Sequence, residues 1–167
     1  MRSLRIACMS DGAELWRKDR ASLDHAVARG TTVYIRRAQE SVDVIPIDGI
    51  GAEHLAGARD ANASWILSRN DSGISITARG DNSTQQLAGP ETNPSGYFLG
   101  DDWLVYGGRA PPSLYAYELA TGRRATLCDA TGDTDCDKIR VVQIAAPYVF
   151  LLDNDRLQGF ELVGLGQ

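Results

Sequence analysis

The acidic stretch CDATGDTDCD, from Cys128 to Asp137, is the part of the chain best suited to chemistry. Oxygen-bearing side chains recur there at every second position: Asp129, Thr131, Asp133, Asp135 and Asp137. Calcium prefers oxygen ligands, above all carboxylates, so a short loop with this spacing would wrap such an ion. The glycine comes too early for an EF-hand, however, and Arg140 stands where that motif has its bidentate glutamate. A solvated acidic loop is therefore the preferred interpretation. The alternative is a calcium site made by Asp129, Asp133, Asp135 and Asp137, and calcium is the one cofactor the sequence suggests.

Three cysteines leave an odd one, and their positions allow two interpretations. Cys128 and Cys136 flank the acidic loop, whereas Cys8 lies in an alternating apolar segment. Either Cys128 and Cys136 form a disulfide and Cys8 is a buried free thiol, or all three are reduced. A disulfide would indicate an extracellular or periplasmic protein, and reduced thiols a cytoplasmic one.

Two histidines are available for acid–base chemistry, His25 and His54. His54 matches Gln86 of a later repeat and is expected to be a solvated edge residue. His25 lies beside Asp24 in a segment predicted to be an innermost strand, from which it would face a central channel. The chain has no nucleophile elbow, no His-Glu-x-x-His and no glycine-rich phosphate loop. No catalytic residue is therefore assigned, and His25 is a candidate ligand-binding residue.

Aromatic residues occupy matching early positions in the repeats described below: Tyr34, Trp65, Trp103 and Tyr148. Exposed indoles at Trp65 and Trp103 would stack on sugar rings, which makes these two residues candidate ligand contacts. Aromatic side chains at equivalent positions more often pack between neighbouring sheets. Packing is therefore the preferred interpretation.

The chain contains a repeated unit, because two of its segments align without a gap. This unit is expected to position the residues described above. TTVYIRRAQESVDVIPIDGIGAEHLAG (31–57) matches ASWILSRNDSGISITARGDNSTQQLAG (63–89), and both end in Leu-Ala-Gly. The same outline returns in 102–128 and in 147–162. Each copy reads as alternating strands separated by turns rich in Asn, Asp and Gly. About four short strands recur every 32 to 45 residues or so, which is typical of β-propeller blades.

The predicted fold is therefore all-β: a propeller of about four four-stranded antiparallel blades forming a single domain over residues 1–167. The repeats lie near 21–57, 58–89, 95–128 and 139–163, and residues 4–17 complete the last one. Pairing of this N-terminal strand with the C-terminal blade would close the ring and remove both sheet edges. The alternatives are half of an eight-bladed ring, made by a homodimer, an excerpt from a longer propeller, and a β-sandwich.

Charge and hydropathy exclude some classes of partner. The net charge is −5, and the 17 basic residues are scattered among 22 acidic ones. Nucleic acid is therefore not expected as a partner, because phosphate binding needs clustered Lys and Arg. The chain also lacks a run of about 18 apolar residues, so no membrane span is expected.

At LYAYELATGRRATL the sequence resembles the blades of TolB-like and quinoprotein-type propellers. Ala116, Glu118, Thr121 and Gly122 carry the resemblance, and Gly12 and Trp16 repeat its later half near the N-terminus. Thr126 departs from it, since the quinoprotein form places tryptophan there. The resemblance implies a ring-like scaffold, used in relatives for binding and in some for enzymes. It transfers no catalytic or cofactor residue to this chain.

The sequence therefore predicts a noncatalytic module that presents loops to a protein or peptide partner. A carbohydrate-binding propeller using Trp65 and Trp103 is one alternative. A hydrolase or peptidase-associated propeller using His25 is another.

Calcium titration tests the acidic loop. Bound calcium would stabilise the native state and raise the melting temperature, because the ion binds the folded form alone. Thermal denaturation with and without millimolar calcium measures this effect, with magnesium as the control. An unchanged melting temperature would show that this loop does not bind calcium.

Overall fold

The computed structural model describes the chain in segments: residues 3–7, 14–19, 23–37, 40–70, 73–87, 96–109, 112–129, 136, 139–145, 148–153 and 156–162. This part of the chain is almost entirely β-structure. Its strands, in chain order, are β1 (Ser3–Ala7), β2 (Glu14–Asp19), β3 (Leu23–Arg29), β4 (Thr32–Arg37), β5 (Ser41–Pro46), β6 (Glu53–Ala56), β7 (Ala58–Ala61), β8 (Trp65–Asn70), β9 (Gly73–Ala78), β10 (Thr84–Gln86), β11 (Gly96–Leu99), β12 (Trp103–Arg109), β13 (Pro112–Glu118), β14 (Arg124–Asp129), β15 (Arg140–Ala145), β16 (Tyr148–Asp153) and β17 (Arg156–Glu161).

Strands that follow one another in the chain are neighbours in the sheets. Three sheets have four strands each, in the orders β3-β4-β5-β6, β7-β8-β9-β10 and β11-β12-β13-β14. A fourth sheet has the order β15-β16-β17, and β1 pairs with β2. This meandering arrangement confirms the predicted all-β fold built from four-stranded antiparallel sheets.

Closure of a ring is not shown. Among the described residues, β1 and β2 form a sheet of their own, and β17 is the last strand of its sheet. The chain divides into two compact units: Met1–Asn62 with Ile66–Arg69, and Ala63–Trp65 with Asn70–Gln167. The predicted single domain and its repeat boundaries stay predictions.

The core of the first unit lies between the first sheet and β7. Alternation along β4 and β5 places Tyr34, Val42 and Val44 on one face, where each is buried. Ala58 and Ala61 of β7 pack against this face. Their small side chains let the β7 backbone come close to the sheet, so two apolar surfaces are removed from water together.

The core of the second unit is larger. Its buried members are Trp103, Val105, Leu114, Ala116, Cys128, Cys136, Val149, Leu151 and Leu162. All of them except Cys136 and Leu162 lie in strands of the third and fourth sheets. Burial of one face of each sheet therefore holds the two sheets together. The structure joins Cys128 to Cys136, both buried, with their Cα atoms 6.0 Å apart.

A hydrogen bond links the second sheet to the third. The Tyr117 hydroxyl donates to Gln85 Oε1 at 2.7 Å, and burial raises the pKa of this phenol. The turn after β13 lies beside it, where Gly122 has a φ of 73° and its amide donates to the Glu118 carbonyl at 2.9 Å. A Cβ on Gly122 would lie 3.2 Å from the Tyr117 hydroxyl. Glycine is favoured there by both its backbone angle and the space.

We expect Gly100→Ala to lower the free energy of unfolding by about 1 to 3 kcal/mol, the usual cost of overpacking. The added Cβ would meet Ile144 Cγ2 at 2.9 Å and the Trp103 carbonyl oxygen at 3.2 Å. Chemical denaturation measures the change. Gly80→Ala is the matched control, because a Cβ there has no atom within 4 Å. Equal stability of the two variants would contradict the close approach at Gly100.

Candidate functional site

The predicted ligand residue His25 lies in a cluster of charged side chains within the first unit. We call His25, Arg29, Arg36 and Asp60 the inner charge cluster. Cross-strand register pairs His25 with Arg36 and places His25, Arg29 and Arg36 on one face of the first sheet. Asp60 comes from β7, which packs on that same sheet. The cluster therefore joins the first strand of the first sheet to the first strand of the second.

Asp60 is the buried member of this cluster, with 7% of its surface exposed. Its Oδ1 accepts the Ala61 amide at 2.9 Å, and its Oδ2 lies 3.7 Å from Arg36 Nη1. Burial raises the pKa of the Asp60 carboxyl, whereas Arg29, Arg36, the Ala61 amide and His25 all act to lower it. Desolvation outweighs the positive neighbours, so this carboxylate is costly to keep charged.

Arg29 ties β3 to β7. Its Nη1 donates to the Ala61 carbonyl at 2.9 Å, and its guanidinium lies 5.7 Å from the centre of the Tyr34 ring. Such a contact with an aromatic face favours the cation. Arg29 and Asp60 thus hold the cluster in place, and the exposed imidazole of His25 is its accessible group. Chemically, the cluster can offer hydrogen bonds and positive charge to a ligand at His25.

A second polar group was not predicted from the sequence. On β5 and β6, Asp43 Oδ1 lies 2.7 Å from His54 Nδ1, while Arg37 Nε donates to Asp43 Oδ2 at 2.9 Å. The imidazole is 59% exposed, whereas Asp43 and Arg37 are largely buried. His54 is therefore an exposed edge residue whose imidazole is oriented by its contact with Asp43. Alternation of Asp43 with Val42 and Val44 was the available signal, because it puts Asp43 on the face of β5 opposite to the one that carries the two buried valines.

The two tryptophans have different environments. Trp103 is 5% exposed and packs in the core of the second unit, while Trp65 is half-buried at the start of β8. Tyr34 is buried, and Tyr148 is exposed. Equivalent positions in the repeats thus differ in burial. The structure brings neither tryptophan into the inner charge cluster, and their ligand-binding role stays a prediction.

The acidic loop falls mostly outside the described residues. Asp133, Asp135 and Asp137 are not among them, and of Asp129 the structure describes the backbone at the end of β14. Within the described segments, no group of three His, Cys, Asp or Glu residues is arranged to hold a metal ion. The calcium site stays a prediction. No helix in the described part of the chain is long and apolar enough to cross a membrane.

Exposed apolar side chains mark two places on the described surface. One is the β5–β6 connection, where Ile47 is 46% and Ile50 is 77% exposed. The other is the fourth sheet, with Tyr148 and Leu157 on one face and Phe160 on the opposite face. Clustered exposed apolar groups are a common mark of interaction sites.

The first of these places is a well-ordered turn. The Ile47 amide donates to the Thr31 carbonyl at 2.8 Å, and the Gly49 amide to the Pro46 carbonyl at 2.9 Å. Asp48 Oδ1 accepts the Ile50 amide at 3.0 Å. We call residues 47–51 the isoleucine turn. Its backbone is fixed at one end of the first sheet, beside the β3–β4 turn.

Comparison with known proteins supports the fold. No protein-family model matches the chain, and no curated protein is similar to it in sequence. Solved propeller structures do match. The computationally designed protein Ika4 gives a TM-score of 0.55 at 13% identity, over 87% of this chain and 94% of its own.

Two further matches are to longer proteins. BamB from Moraxella catarrhalis gives a TM-score of 0.51 at 16% identity, over 97% of this chain but 63% of its own. The designed protein Ika8 gives 0.54 at 17% identity, over 93% of this chain but 51% of its own. The chain thus spans less than two thirds of either. These similarities establish a propeller fold and do not identify a TolB-like type.

The raised pKa of Asp60 predicts how stability changes with pH. The folded protein holds this proton more tightly than the unfolded chain, whose Asp has its ordinary pKa of 3.8. The contribution of Asp60 is therefore complete below that pH and is lost as the pH rises through the higher folded value. We expect the melting temperature of the wild type, relative to Asp60→Asn, to fall as the pH rises above 3.8.

Asp81→Asn is the control, since hydrogen bonds from Ser83 lower the pKa of Asp81. The stabilising contribution of that exposed residue is lost as the pH falls, so its difference curve should slope the other way. Parallel difference curves for the two variants would show that Asp60 is not buried as described.

Proposed function

We propose that this chain is a noncatalytic protein-interaction module whose isoleucine turn contacts a protein partner. The observation that supports this proposal most directly is the exposure of Ile50, which is 77% exposed in a turn whose backbone is held by hydrogen bonds. An apolar side chain left in water gains free energy when a partner buries it, and the gain grows with the area covered. Loops held by a rigid scaffold are frequent binding elements.

Rigidity supports the proposal on entropic grounds. Gly49 and Gly51 have φ angles of 72° and 75°, which glycine adopts without strain. With the turn already ordered, little conformational freedom is lost when a partner binds. Preorganised loops keep more of their contact energy as affinity for this reason.

The second sheet shows that a fold of this kind does not need apolar residues in this turn. The corresponding connection of the second sheet contains Gly80, Asp81 and Asn82, all exposed. Asp81 Oδ1 accepts the Ser83 amide at 2.9 Å, so polar residues stabilise that turn in the same manner. Ile47 and Ile50 are thus unnecessary for the turn itself, which favours a role in binding.

The described geometry gives less support to a carbohydrate-binding protein or to a hydrolase. A carbohydrate site at Trp103 would need an exposed indole, whereas that side chain packs in the core. A hydrolase would depend on His25, whose neighbours in the cluster are two arginines and the buried Asp60. Neither alternative has an observation equal to the exposed isoleucine turn.

Site-specific photocrosslinking tests the proposal. A photoreactive amino acid in place of Ile50 should give a discrete crosslinked protein in an extract of the source cells, because the partner covers this position. The same group in place of Asp81 is the matched control in the equivalent turn. Excess unlabelled wild type should suppress the crosslink, and excess Ile50→Asp should not. Crosslinking that is equal at both positions, or that Ile50→Asp suppresses equally well, would overturn the proposal.

A further inference from the structure

The outermost strand of the fourth sheet differs from those of the first and second sheets. In β6 and β10 the exposed residues are Glu53, His54, Thr84 and Gln86, with Ala56 as the one exposed apolar residue. In β17 all six residues are exposed, and Leu157 and Phe160 are among them, at 63% and 37%. Polar groups protect a sheet edge from adding another strand, whereas an apolar edge favours it.

The backbone of β17 offers hydrogen bonds along this edge. Asp153 pairs with Arg156, so two residues connect β16 and β17, and pairing then alternates along the ladder. By this alternation the amides and carbonyls of Leu157, Gly159 and Glu161 face away from β16. Within the described residues no strand is hydrogen-bonded to that side.

We propose that β17 pairs antiparallel with β17 of a second copy, joining two three-stranded sheets into one six-stranded sheet. A two-fold axis perpendicular to the sheet requires each residue to oppose one of the same parity. This symmetry also sets the outward-facing groups of one copy against those of the other. The proposal concerns a surface other than the isoleucine turn and does not depend on the proposed function.

One register fits the side chains best, with Gln158 opposite Gln158 of the second copy. It places Leu157 opposite Gly159 of the second copy. Gly159 has no side chain, and a Cβ there would lie 3.4 Å from the Phe150 ring, so the glycine leaves an edge of that ring uncovered. Leu157 of one copy would fill this notch against Phe150 of the other, beside the exposed Tyr148, which contacts Phe150 with ring centres 6.5 Å apart.

The opposite face of the joined strands is complementary as well. The same register sets Arg156 against Phe160 of the second copy, which allows a cation–π contact at each end. The two Gln158 amides meet at the centre, where they can hydrogen-bond to each other. Shifting the register by two residues in one direction would set Leu157 against the charged Glu161. Shifting it in the other direction would pair only residues 156–158 of each copy. Side-chain fit and the number of paired residues together select one symmetric pairing.

Mass measurement over a concentration series tests association. The pairing covers only residues 156–160 of each copy, so we expect a dimer that dissociates on dilution. Multi-angle light scattering should show a shift toward twice the chain mass of 18.1 kDa as concentration rises. Leu157→Lys should stay monomeric and should keep the melting temperature that the wild type has at concentrations where the wild type is a monomer. Thr84→Lys, on the edge strand of the second sheet, should dimerise like the wild type.

Cysteine crosslinking tests the register. In a Cys8→Ser background, Gln158→Cys should form an intermolecular disulfide, because directly opposed Cβ atoms lie about 5 Å apart. Phe160→Cys is the matched control, since its two copies would be separated by roughly 13 Å along the strands. A monomer at every concentration would overturn the proposal, as would equal crosslinking at both positions. If the N-terminal strands cover β17 instead, Leu157→Lys should lower the melting temperature without changing the mass.

Discussion

The close approach of β7 to the first sheet is the constraint on which the first unit depends. Tyr34, Val42 and Val44 form an apolar face, and only small residues let another strand come near it. Ala58 and Ala61 satisfy this requirement. Between them in the chain lies Asp60, which is taken out of water by the same contact. The buried carboxylate is therefore a consequence of packing, and Arg29 and Arg36 offset part of its desolvation.

Sheet edges impose a second constraint. A sheet of meandering strands leaves hydrogen-bonding groups along its last strand, and each must meet water, another strand or a covering segment. The first and second sheets end in short strands rich in polar residues, which water can solvate. The fourth sheet ends in a strand that carries leucine and phenylalanine. The two kinds of edge therefore differ in how readily each would add another strand.

Local turn chemistry fixes the ends of the strands, and it separates scaffold from surface. In the motif around Thr121 and Gly122, a threonine hydroxyl donates to the Glu118 carboxylate and glycine supplies the left-handed conformation. These contacts remain inside the turn, so the motif resembling propeller blades acts as structure. The isoleucine turn has equally complete backbone bonds but directs apolar side chains into water. Hydrogen-bonded turns therefore leave different side chains in water: polar ones around Thr121, and isoleucines in the isoleucine turn.

The sequence by itself determined the class of the fold. Alternation along strands such as 42–45, Asn and Gly in the turns, and the gapless match of 31–57 with 63–89 depend on neighbours in the chain, and strands and hairpins form under those same local rules. The sequence also places Cys128 and Cys136 on either side of one loop, and the structure joins them in a disulfide. Alternation along a strand could not predict whether a given face is buried or exposed. Trp103 and Tyr148 hold equivalent places in their repeats, yet one is buried and the other exposed.

Only the tertiary structure decided which polar residues meet. Asp60 lies 24 residues beyond Arg36 in the chain, and Asp43 faces His54 across a strand pair, so no local pattern ties their charges together. Desolvation depends on every atom that covers a group, which is a property of the packed fold. The sequence predicted strands and turns because those are set by short-range geometry. The inner charge cluster and the exposed edge were decided by which surfaces the sheets cover and which they leave in water.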